Sequence, residues 1–320
     1  MLDTIKILRA KLSRVSDAQG SPLYDKREVY SLADLLLEEV CGITRTDRLM
    51  HPERVLTADQ RARLMDIIAQ MEQGVPVQQA LGYAWFYGAR FKVSPDVLIP
   101  RPETSELVDW IVSDVRSRRL SLPVVPASQA TPLFVCDIGT GSGCIAISLA
   151  RVIEDVKVLA IDVSEAALNI ARANACEQNV DNLQFAHIDI LGYVDKSDSS
   201  AKLTLETNTF PQGYQHFDII VSNPPYVCRK EATEMSEIVL KHEPEVALFV
   251  PDDDPLLFYR AISRFGKKHL VKGGSLYFEI NTAYGQATCR LLEAMGYSNI
   301  ELRADVTGRD RMIKAVLSAT

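Results

Sequence analysis

Several common signals are missing from this sequence, and each absence disfavours a class of protein. The six cysteines form no C-x-x-C pair and several lie in apolar runs, so we expect reduced thiols and a cytoplasmic location. The five histidines are dispersed, without the spacing of a metal site. No apolar run approaches the roughly 18 residues of a membrane span. Residues 1–14 lack the apolar core of a signal peptide, so we expect neither an anchor nor a secretory leader.

Basic residues are also too few to balance the acidic ones. The net charge is −7 and the isoelectric point is near 5.4. This balance disfavours a large basic surface for nucleic acid or anionic membranes. Apolar residues, in contrast, make up 47% of the 320 residues, which is enough for a sizeable core. The length itself suggests two domains.

Residues 1–80 carry helical periodicity and form the first predicted domain. Thr57 with Gln60 three residues later is typical of a capping box, and the helix that it begins is predicted to end at Gly74. Two interpretations of this helical domain are open. It either serves only stability or recognises a substrate.

Residues 81–103 differ in character and are predicted to join two domains. Aromatic residues alternate with small and basic ones around Gly88, which predicts a β-hairpin. A double-proline segment at 98–103 follows and precedes a helix from about residue 105 to 118. The second domain is predicted to span residues 104–320. Within it, the polar segments 120–132 and 195–215 are predicted as loops.

Strands and helices alternate from residue 133 onward. This alternation predicts an α/β fold with a mostly parallel sheet covered on both faces. A short turn joins the last two strands, so one of them is predicted to be antiparallel. Strands are predicted at 133–137, 157–162, 183–188, 217–221, 275–280, 298–304 and 311–318, and helices at 144–153, 164–178, 255–270 and 285–295.

A glycine loop lies between the first of these strands and the helix that follows. Its spacing is G-x-G-x-G, which differs from the dinucleotide pattern G-x-G-x-x-G. Asp162 ends the next predicted strand, where a carboxylate suits ribose hydroxyls, and Asp189 ends the third, where it could accept from an adenine amino group. Together these features indicate a nucleoside ligand with little need for a phosphate site. The alternative is that both acids only cap the following helices.

A second chemical signal follows the strand predicted at 217–221, where residues 222–226 read Ser-Asn-Pro-Pro-Tyr. The prolines end the strand and stiffen the loop at its carboxyl end, where open α/β sheets bind ligands. The Asn223 side-chain oxygen can accept one N–H of a planar NH₂ group and the Pro224 carbonyl the other, while Tyr226 offers a flat face. The alternative is a tight proline turn with a buried tyrosine.

Residues 137–143 resemble the cofactor loop of class I S-adenosylmethionine-dependent methyltransferases. Residues 223–226 resemble the signature of those members that methylate a planar amide or amino nitrogen. With Ile-Pro-Arg-Pro-Glu-Thr at 99–104, His-Glu-Pro at 242–244 and Gly-Arg-Asp-Arg at 308–311, nearly the whole chain is similar to the release-factor glutamine methyltransferase family.

This resemblance implies a Rossmann-like class I methyltransferase fold. It also implies an activity, which is methyl transfer from S-adenosylmethionine to the N5 side-chain amide nitrogen of the glutamine in the Gly-Gly-Gln loop of peptide chain release factors. The implied product is S-adenosylhomocysteine, and no metal is expected. The implied partner is the release factor, without a membrane or nucleic acid, and a monomer is the default.

The resemblance also assigns roles to individual residues. The predicted catalytic residues are Asn223, Pro224 and Tyr226. Substrate contact is predicted for Asn223, Pro224, Pro225, Tyr226, Arg101 and Glu103, with an ordinary Arg101–Glu103 ion pair as the alternative for the last two. Cofactor contact is predicted for Gly139, Thr140, Gly141, Ser142, Gly143, Asp162, Asp189, Ile190 and Asn223. One departure concerns Ile190, because family members often carry an aromatic residue after the third-strand acid.

Two other functions compete with this interpretation. Adenine-N6 methylation of RNA or DNA shares the Asn-Pro-Pro-Tyr signature, but the acidic charge and the absence of a Lys/Arg-rich segment disfavour it. A non-catalytic nucleoside-binding module is the second alternative. The intact signature disfavours it, since a pure binder needs no acceptor that aims a nitrogen.

Overall fold

A computed structural model describes residues 2–16, 20–121, 131–193 and 210–318 of the chain. These residues fall into two compact units, Met1–Tyr83 with Met235–His242 and Ala84–Glu234 with Glu243–Thr320. The second unit is therefore interrupted in sequence by a short segment that belongs to the first. Most of the two predicted loops, at 120–132 and 195–215, lies outside the described residues.

The first unit is helical, as its periodicity predicts. Its helices are α1 (Leu2–Leu12), α2 (Lys26–Cys41), α3 (Arg45–Met50), α4 (Ala58–Glu72), α5 (Val77–Leu81) and, from the returning segment, α9 (Glu237–His242). The capping box that begins α4 is confirmed, because Gln60 N–H donates to Thr57 Oγ1 at 3.1 Å and Thr57 N–H donates to Gln60 Oε1 at 3.0 Å. The apolar faces of α1, α2, α4 and α5 share one core that includes Leu36, Leu64 and Ile68.

The second unit alternates strands and helices, as predicted. Its strands are β1 (Tyr83–Phe86, which starts at the unit boundary), β2 (Ala89–Lys92), β3 (Leu133–Ile138), β4 (Val156–Asp162), β5 (Leu183–His187), β6 (Phe217–Ser222), β7 (Val227–Cys228), β8 (Phe249–Val250), β9 (Leu270–Glu279), β10 (Tyr297–Ala304) and β11 (Asp310–Leu317). Its helices are α6 (Pro102–Ser121), α7 (Cys144–Val152), α8 (Glu165–Glu177), α10 (Glu245–Leu248), α11 (Leu257–His269) and α12 (Gly285–Ala294).

Seven strands form the main sheet in the order β10-β11-β9-β6-β3-β4-β5. The five strands from β9 to β5 pair in parallel, and β11 runs antiparallel to both of its neighbours. The prediction of a mostly parallel sheet with an antiparallel C-terminal strand is confirmed. The predicted hairpin is also present, with Tyr87 and Gly88 between β1 and β2.

Helices cover both faces of this sheet. Alternate residues of a strand point to opposite faces, so Val135 packs in one core with α6 and α7, while Cys136 packs in the other with α11 and α12. Because both faces are covered, the parallel strands have nearly continuous apolar sequences. Their positions could therefore be predicted from the sequence.

The short elements between β6 and α11 were not predicted. They are β7, which pairs in parallel with β8, a 3₁₀ helix at Arg229–Glu234, and the helices α9 and α10. None of them is longer than six residues. Elements of this length complete too few helical turns or strand repeats for periodicity to register.

Candidate active site

The register of the main sheet places four residues from distant parts of the sequence side by side at the ends of neighbouring strands. Ile138 of β3 pairs with Ile161 of β4 and with Ser222 of β6, and Ser222 pairs with Phe278 of β9. The next residue along each of these strands is therefore Gly139, Asp162, Asn223 and Glu279. All four lie at the carboxyl edge of the parallel strands, where open α/β sheets bind ligands.

A cavity of about 1020 Å³, counted with the space open to solvent at its mouth, lies at this edge of the second unit. Two other concavities of about 1030 and 1320 Å³ lie near the starts of the strands, so size alone does not mark the site. The lining does. The predicted site residues in the cavity wall are Arg101, Gly139, Thr140, Gly141, Ser142, Asp162, Asp189, Ile190, Asn223, Pro224 and Pro225.

The glycine loop presents its backbone to this cavity. Gly139 and Gly141 have φ values of 73° and 55°, a conformation that other residues rarely adopt. A Cβ at either position would meet no atom within 4 Å, so the space beside both residues is open. Asp162, which is 9% exposed, holds the loop in place by accepting the Gly141 N–H at 2.9 Å, and its other carboxylate oxygen accepts the Ser164 N–H at 2.9 Å.

Apolar side chains line the wall around Asp189. Asp189 lies two residues beyond β5 and accepts the Leu191 N–H at 2.9 Å. Ile188 and Ile190 stand on either side of it in the cavity wall, and Phe258 of α11 contributes an aromatic ring. Sequence reasoning missed Phe258. Its only signal is its place in the first turn of an amphipathic helix that covers the sheet.

A buried hydrogen-bond chain supports Asn223. Its amide Nδ2 donates to Thr104 Oγ1 at 3.3 Å, and the Thr104 hydroxyl donates to Glu279 Oε2 at 2.6 Å. The other oxygen of Glu279 accepts the Tyr226 hydroxyl at 3.1 Å. Thr104 and Glu279 are 2% and 1% exposed. The two ends of the Asn-Pro-Pro-Tyr loop are thus joined to a single carboxylate.

The backbone of this loop is held as well. Asn281, just after β9, donates from Nδ2 to the Tyr226 carbonyl at 3.1 Å, and the same amide reaches Glu231. The Ser222 hydroxyl donates to the Ile138 carbonyl at 2.6 Å, which ties the start of the loop to β3. The loop therefore has fixed contacts at both ends in addition to its two prolines.

Comparison with known proteins identifies the family to which this chain belongs. A family profile described as a methyltransferase domain matches residues 132–269, and one described as the PrmC N-terminal domain matches residues 26–82. A protein of Bacteroides thetaiotaomicron named release factor glutamine methyltransferase is 42% identical over 293 residues, which is 92% of this chain and 94% of that protein. The chain belongs to the release factor glutamine methyltransferase family.

Other members of the family give the same picture. The Flavobacterium psychrophilum protein of that name is 40% identical, over 91% of this chain and 93% of its own. The Bacillus subtilis protein is 35% identical, over 89% and 90%. The family and the fold inferred from the motifs are therefore both confirmed.

In this family member, three of the predicted site residues lie outside the cavity wall. Gly143 is the N-cap residue before α7 and packs tightly, because a Cβ there would stand 2.9 Å from Ile147 Cδ1 and 3.1 Å from Ala171 Cβ. Tyr226 directs its hydroxyl to Glu279, and Glu103 lies in the first turn of α6. Contact of these three residues with a ligand stays a prediction.

The partner of Arg101 differs from the alternative that the sequence left open. Arg101 Nη2 lies 2.7 Å from Glu243 Oε1, whereas the sequence suggested Glu103 as a partner. The buried Glu243 also accepts the Ile99 N–H at 3.1 Å. The His-Glu-Pro motif, whose role was unassigned, thus supplies the carboxylate that anchors the double-proline segment beside the cavity.

In the described part of the chain, no group of three or more His, Cys, Asp or Glu side chains could hold a metal ion. Within the same ranges, no helix combines the length and the apolar character needed to cross a bilayer.

Asp137, on β3 just before the glycine loop, is fully buried. Its Oδ2 accepts from the Thr140 hydroxyl at 2.6 Å and from the Ala146 N–H at 3.2 Å, while Oδ1 has no hydrogen-bond partner among the described residues. Burial raises the pKa of Asp137 to about 7, although these hydrogen bonds oppose the rise. Its proton is therefore linked to folding near neutral pH.

Asp137→Asn should change how stability depends on pH. Folding raises the pKa of Asp137. Between about pH 4 and pH 7, the folded protein therefore keeps the Asp137 proton, whereas the unfolded chain has already lost it. Its contribution to stability is complete below about pH 4 and is lost as the pH rises through about 7. We expect the wild-type free energy of unfolding, relative to the variant, to fall by up to about 1.4 kcal/mol per pH unit between pH 4.5 and 7.

Urea unfolding of both ligand-free proteins at several pH values measures this difference. Titrating groups that do not interact with Asp137 are common to both proteins and cancel in the comparison. A constant difference between the two stability curves would contradict the assignment to Asp137.

Proposed function

We propose that this protein transfers the methyl group of S-adenosylmethionine to the N5 side-chain amide nitrogen of the glutamine in the Gly-Gly-Gln loop of peptide chain release factors. One observation supports this most strongly. Asn223, whose NH₂ group is engaged by Thr104, stands in the cavity wall beside the glycine loop. Its oxygen can therefore accept an N–H from a planar substrate. Family membership supplies the identity of the substrate.

The cavity fits the proposed cofactor. The Gly139 and Gly141 backbone faces open space, which suits close approach by the amino-acid part of a ligand. Each oxygen of Asp162 keeps a lone pair beyond its backbone hydrogen bond and can accept from ribose hydroxyls. Ile190 and Phe258 offer apolar surface for a base near Asp189. When bound, S-adenosylmethionine supplies a methyl group activated by its positively charged sulfur, and S-adenosylhomocysteine is the product.

The protein's own contribution is positioning. An amide nitrogen is a weak nucleophile, because its lone pair is delocalised into the carbonyl. The Asn223 side-chain oxygen and the Pro224 carbonyl would accept its two N–H groups, which fixes the direction of the nitrogen and favours the positive charge that develops on it. Near-attack geometry of this kind can lower a barrier by roughly 7–11 kcal/mol. Neither acceptor is a strong base, so the proton that the nitrogen loses passes to water.

The helical unit is proposed to recognise the folded release factor. The match of residues 26–82 to a family N-terminal domain supports this role over one in stability alone. In the same proposal, residues 1–80 form the recognition domain, 81–103 the hairpin and linker, and 104–320 the methyltransferase domain. The protein is proposed to act as a cytoplasmic monomer on a protein substrate, without nucleic acid or a membrane.

The test uses the full-length chain with S-adenosylmethionine carrying a labelled methyl group. Its acceptors are a release factor, the same factor with the Gly-Gly-Gln glutamine changed to alanine, a short Gly-Gly-Gln peptide, and RNA. We expect the release factor with the intact glutamine to be labelled, and neither its alanine version nor the RNA. If the helical unit recognises a folded surface, kcat/KM should be far lower for the peptide than for the factor.

Each competing function predicts a different pattern of label. Label on RNA would favour adenine methylation, and equal label on the alanine version would place the methyl group elsewhere on the factor. No label on any acceptor, with retained cofactor binding, would favour a non-catalytic module.

A further inference from the structure

Sequence reasoning left three residues near Asn223 without a role: Thr104 and Glu279, which continue the hydrogen-bond chain from Asn223, and Arg311, whose charge acts on Glu279. Thr104 belongs to the first turn of α6, Glu279 ends β9, and Arg311 lies on β11 next to Met312, which pairs with Glu279. Thr104 lines the cavity, whereas Glu279 does not and accepts hydrogen bonds from the Thr104 and Tyr226 hydroxyls. Because the Thr104 hydroxyl is engaged by Glu279 and Asn223, both residues are placed to act on the substrate through Asn223.

The hydrogen bonds in this chain have one possible direction when Glu279 is ionised. A carboxylate only accepts, so both the Thr104 and the Tyr226 hydroxyls must donate to it. A hydroxyl has one proton, and Thr104 has already used it. Thr104 can therefore only accept from Asn223, which turns the Asn223 NH₂ group toward Thr104 and its oxygen away.

We propose that Glu279 and Thr104 are positioning residues that set which way the Asn223 amide faces, so that its oxygen rather than its NH₂ group meets the substrate amide. The proposal rests on the proposed function, because it assumes a substrate that donates N–H to Asn223. The two ends of a side-chain amide have nearly the same shape, so packing alone discriminates poorly between its two orientations. A reversed amide would place an N–H against the substrate N–H and oppose binding in the reactive geometry.

The surroundings of Glu279 bear on whether it is ionised. Burial raises its pKa, while hydrogen bonds from Thr104 and Tyr226 and the positive charge of Arg311 oppose the rise, and the nearby Glu103 adds to it. Arg311 is itself held by Asp305, at 3.4 Å from Nε to Oδ2. The two hydroxyl donors and the guanidinium limit this rise of the pKa, and in its ionised form Glu279 imposes the direction of the hydrogen-bond chain given above.

Thr104→Val removes the hydroxyl and keeps the shape of the side chain, while Thr104→Ser keeps the hydroxyl. We expect Thr104→Val to lower kcat for release-factor methylation by about 10- to 30-fold, with KM for the factor and Kd for S-adenosylmethionine changed less than about threefold. Thr104→Ser should keep kcat within about threefold of wild type. Glu279→Gln should lower kcat to a similar extent as Thr104→Val, because a glutamine can turn either end toward Thr104.

Both residues act through one path, so their effects should not multiply. We expect the Thr104→Val/Glu279→Gln double variant to lose little more activity than the more damaged single variant. Unchanged kcat in Thr104→Val, equal loss in Thr104→Ser, or multiplied losses in the double variant would overturn the proposal.

A measurement that does not depend on catalytic turnover tests this proposal independently of the proposed function. The protein is labelled with ¹⁵N-asparagine, and the Asn223 side-chain NH₂ signal is assigned by its disappearance in Asn223→Ala. We expect slow hydrogen exchange at this group in wild type and Thr104→Ser, and faster exchange in Thr104→Val. If wild type methylates nothing, the proposed function fails and this exchange still decides the orientation. Equal exchange rates in all three proteins would contradict the role of Thr104.

Discussion

Asn223→Ala is expected to lower kcat by about 10²- to 10³-fold, the range found when one preorganised polar group is removed from an active site. Asn223 supplies one of the two acceptors that would aim the substrate nitrogen, and alanine offers none. The glycine loop and Asp162 stay in place, because their hydrogen bonds do not involve Asn223. The Kd for S-adenosylmethionine should therefore change less than about threefold.

Single-turnover methylation of a release factor measures the first quantity, and calorimetry measures the second. Asn169→Ala is a matched control, because Asn169 is exposed on α8 and its side chain accepts a hydrogen bond only from the neighbouring Arg172 among the described residues. It should behave as wild type. If Asn223→Ala loses cofactor binding as strongly as turnover, the separation between an acceptor at Asn223 and a cofactor cradle at the glycine loop is wrong.

Asp162→Asn is expected to have the second large effect, on cofactor binding. Both oxygens of Asp162 accept backbone N–H groups, from Gly141 on one side and Ser164 on the other. An asparagine must turn its NH₂ group toward one of these donors, which disturbs the loop, and it also loses the charge that would favour ribose hydroxyls. We expect Kd for S-adenosylmethionine to rise roughly 10- to 100-fold, as for the loss of a charged hydrogen bond.

At saturating S-adenosylmethionine, kcat of Asp162→Asn should recover to within about fivefold of wild type, because Asn223 is untouched. Asp181→Asn is the control, since Asp181 is an exposed carboxylate before β5 at the opposite edge of the sheet. A low kcat that saturating cofactor does not restore would show that Asp162 also shapes the substrate side of the site.

Together, Asn223→Ala and Asp162→Asn distinguish the substrate side of the site from the cofactor side. Asn223 should affect turnover with little effect on the cofactor, and Asp162 should do the reverse. Thr104→Val should resemble a weaker Asn223→Ala, since it leaves the acceptor present but free to turn. A Thr104→Val variant that instead resembled Asp162→Asn would place Thr104 on the cofactor side.

Local pattern was enough to predict the frame of the site. The five parallel strands of the main sheet were found because buried parallel strands are apolar along their length. The capping box of Thr57 was found because it needs only residues three apart. Asp162 was found because an acid at the end of a strand stands at the edge where ligands bind. The same rule applied to β9 would have singled out Glu279, which sequence reasoning passed over.

What the sequence did not reveal depends on residues far apart in the chain. Glu243 lies 142 positions from Arg101, and a nearer acid, Glu103, was the obvious partner. Met235–His242 belongs to the helical first unit although residues of the second unit precede and follow it. No repeat or spacing in the sequence links such positions, since each contact is made only when separate elements pack.

By itself, the sequence determined the family, the succession of the main-sheet strands and longer helices along the chain, and the residues at the ends of those strands, because these follow from local periodicity and motif spacing. Only the tertiary structure decided how Asn223 is held. Its support comes from Thr104, 119 positions away, and from Glu279, which lies 175 positions from Thr104. A hydrogen bond acts over about 3 Å, so the folded sheet had to bring these three side chains together before their direction could be assigned.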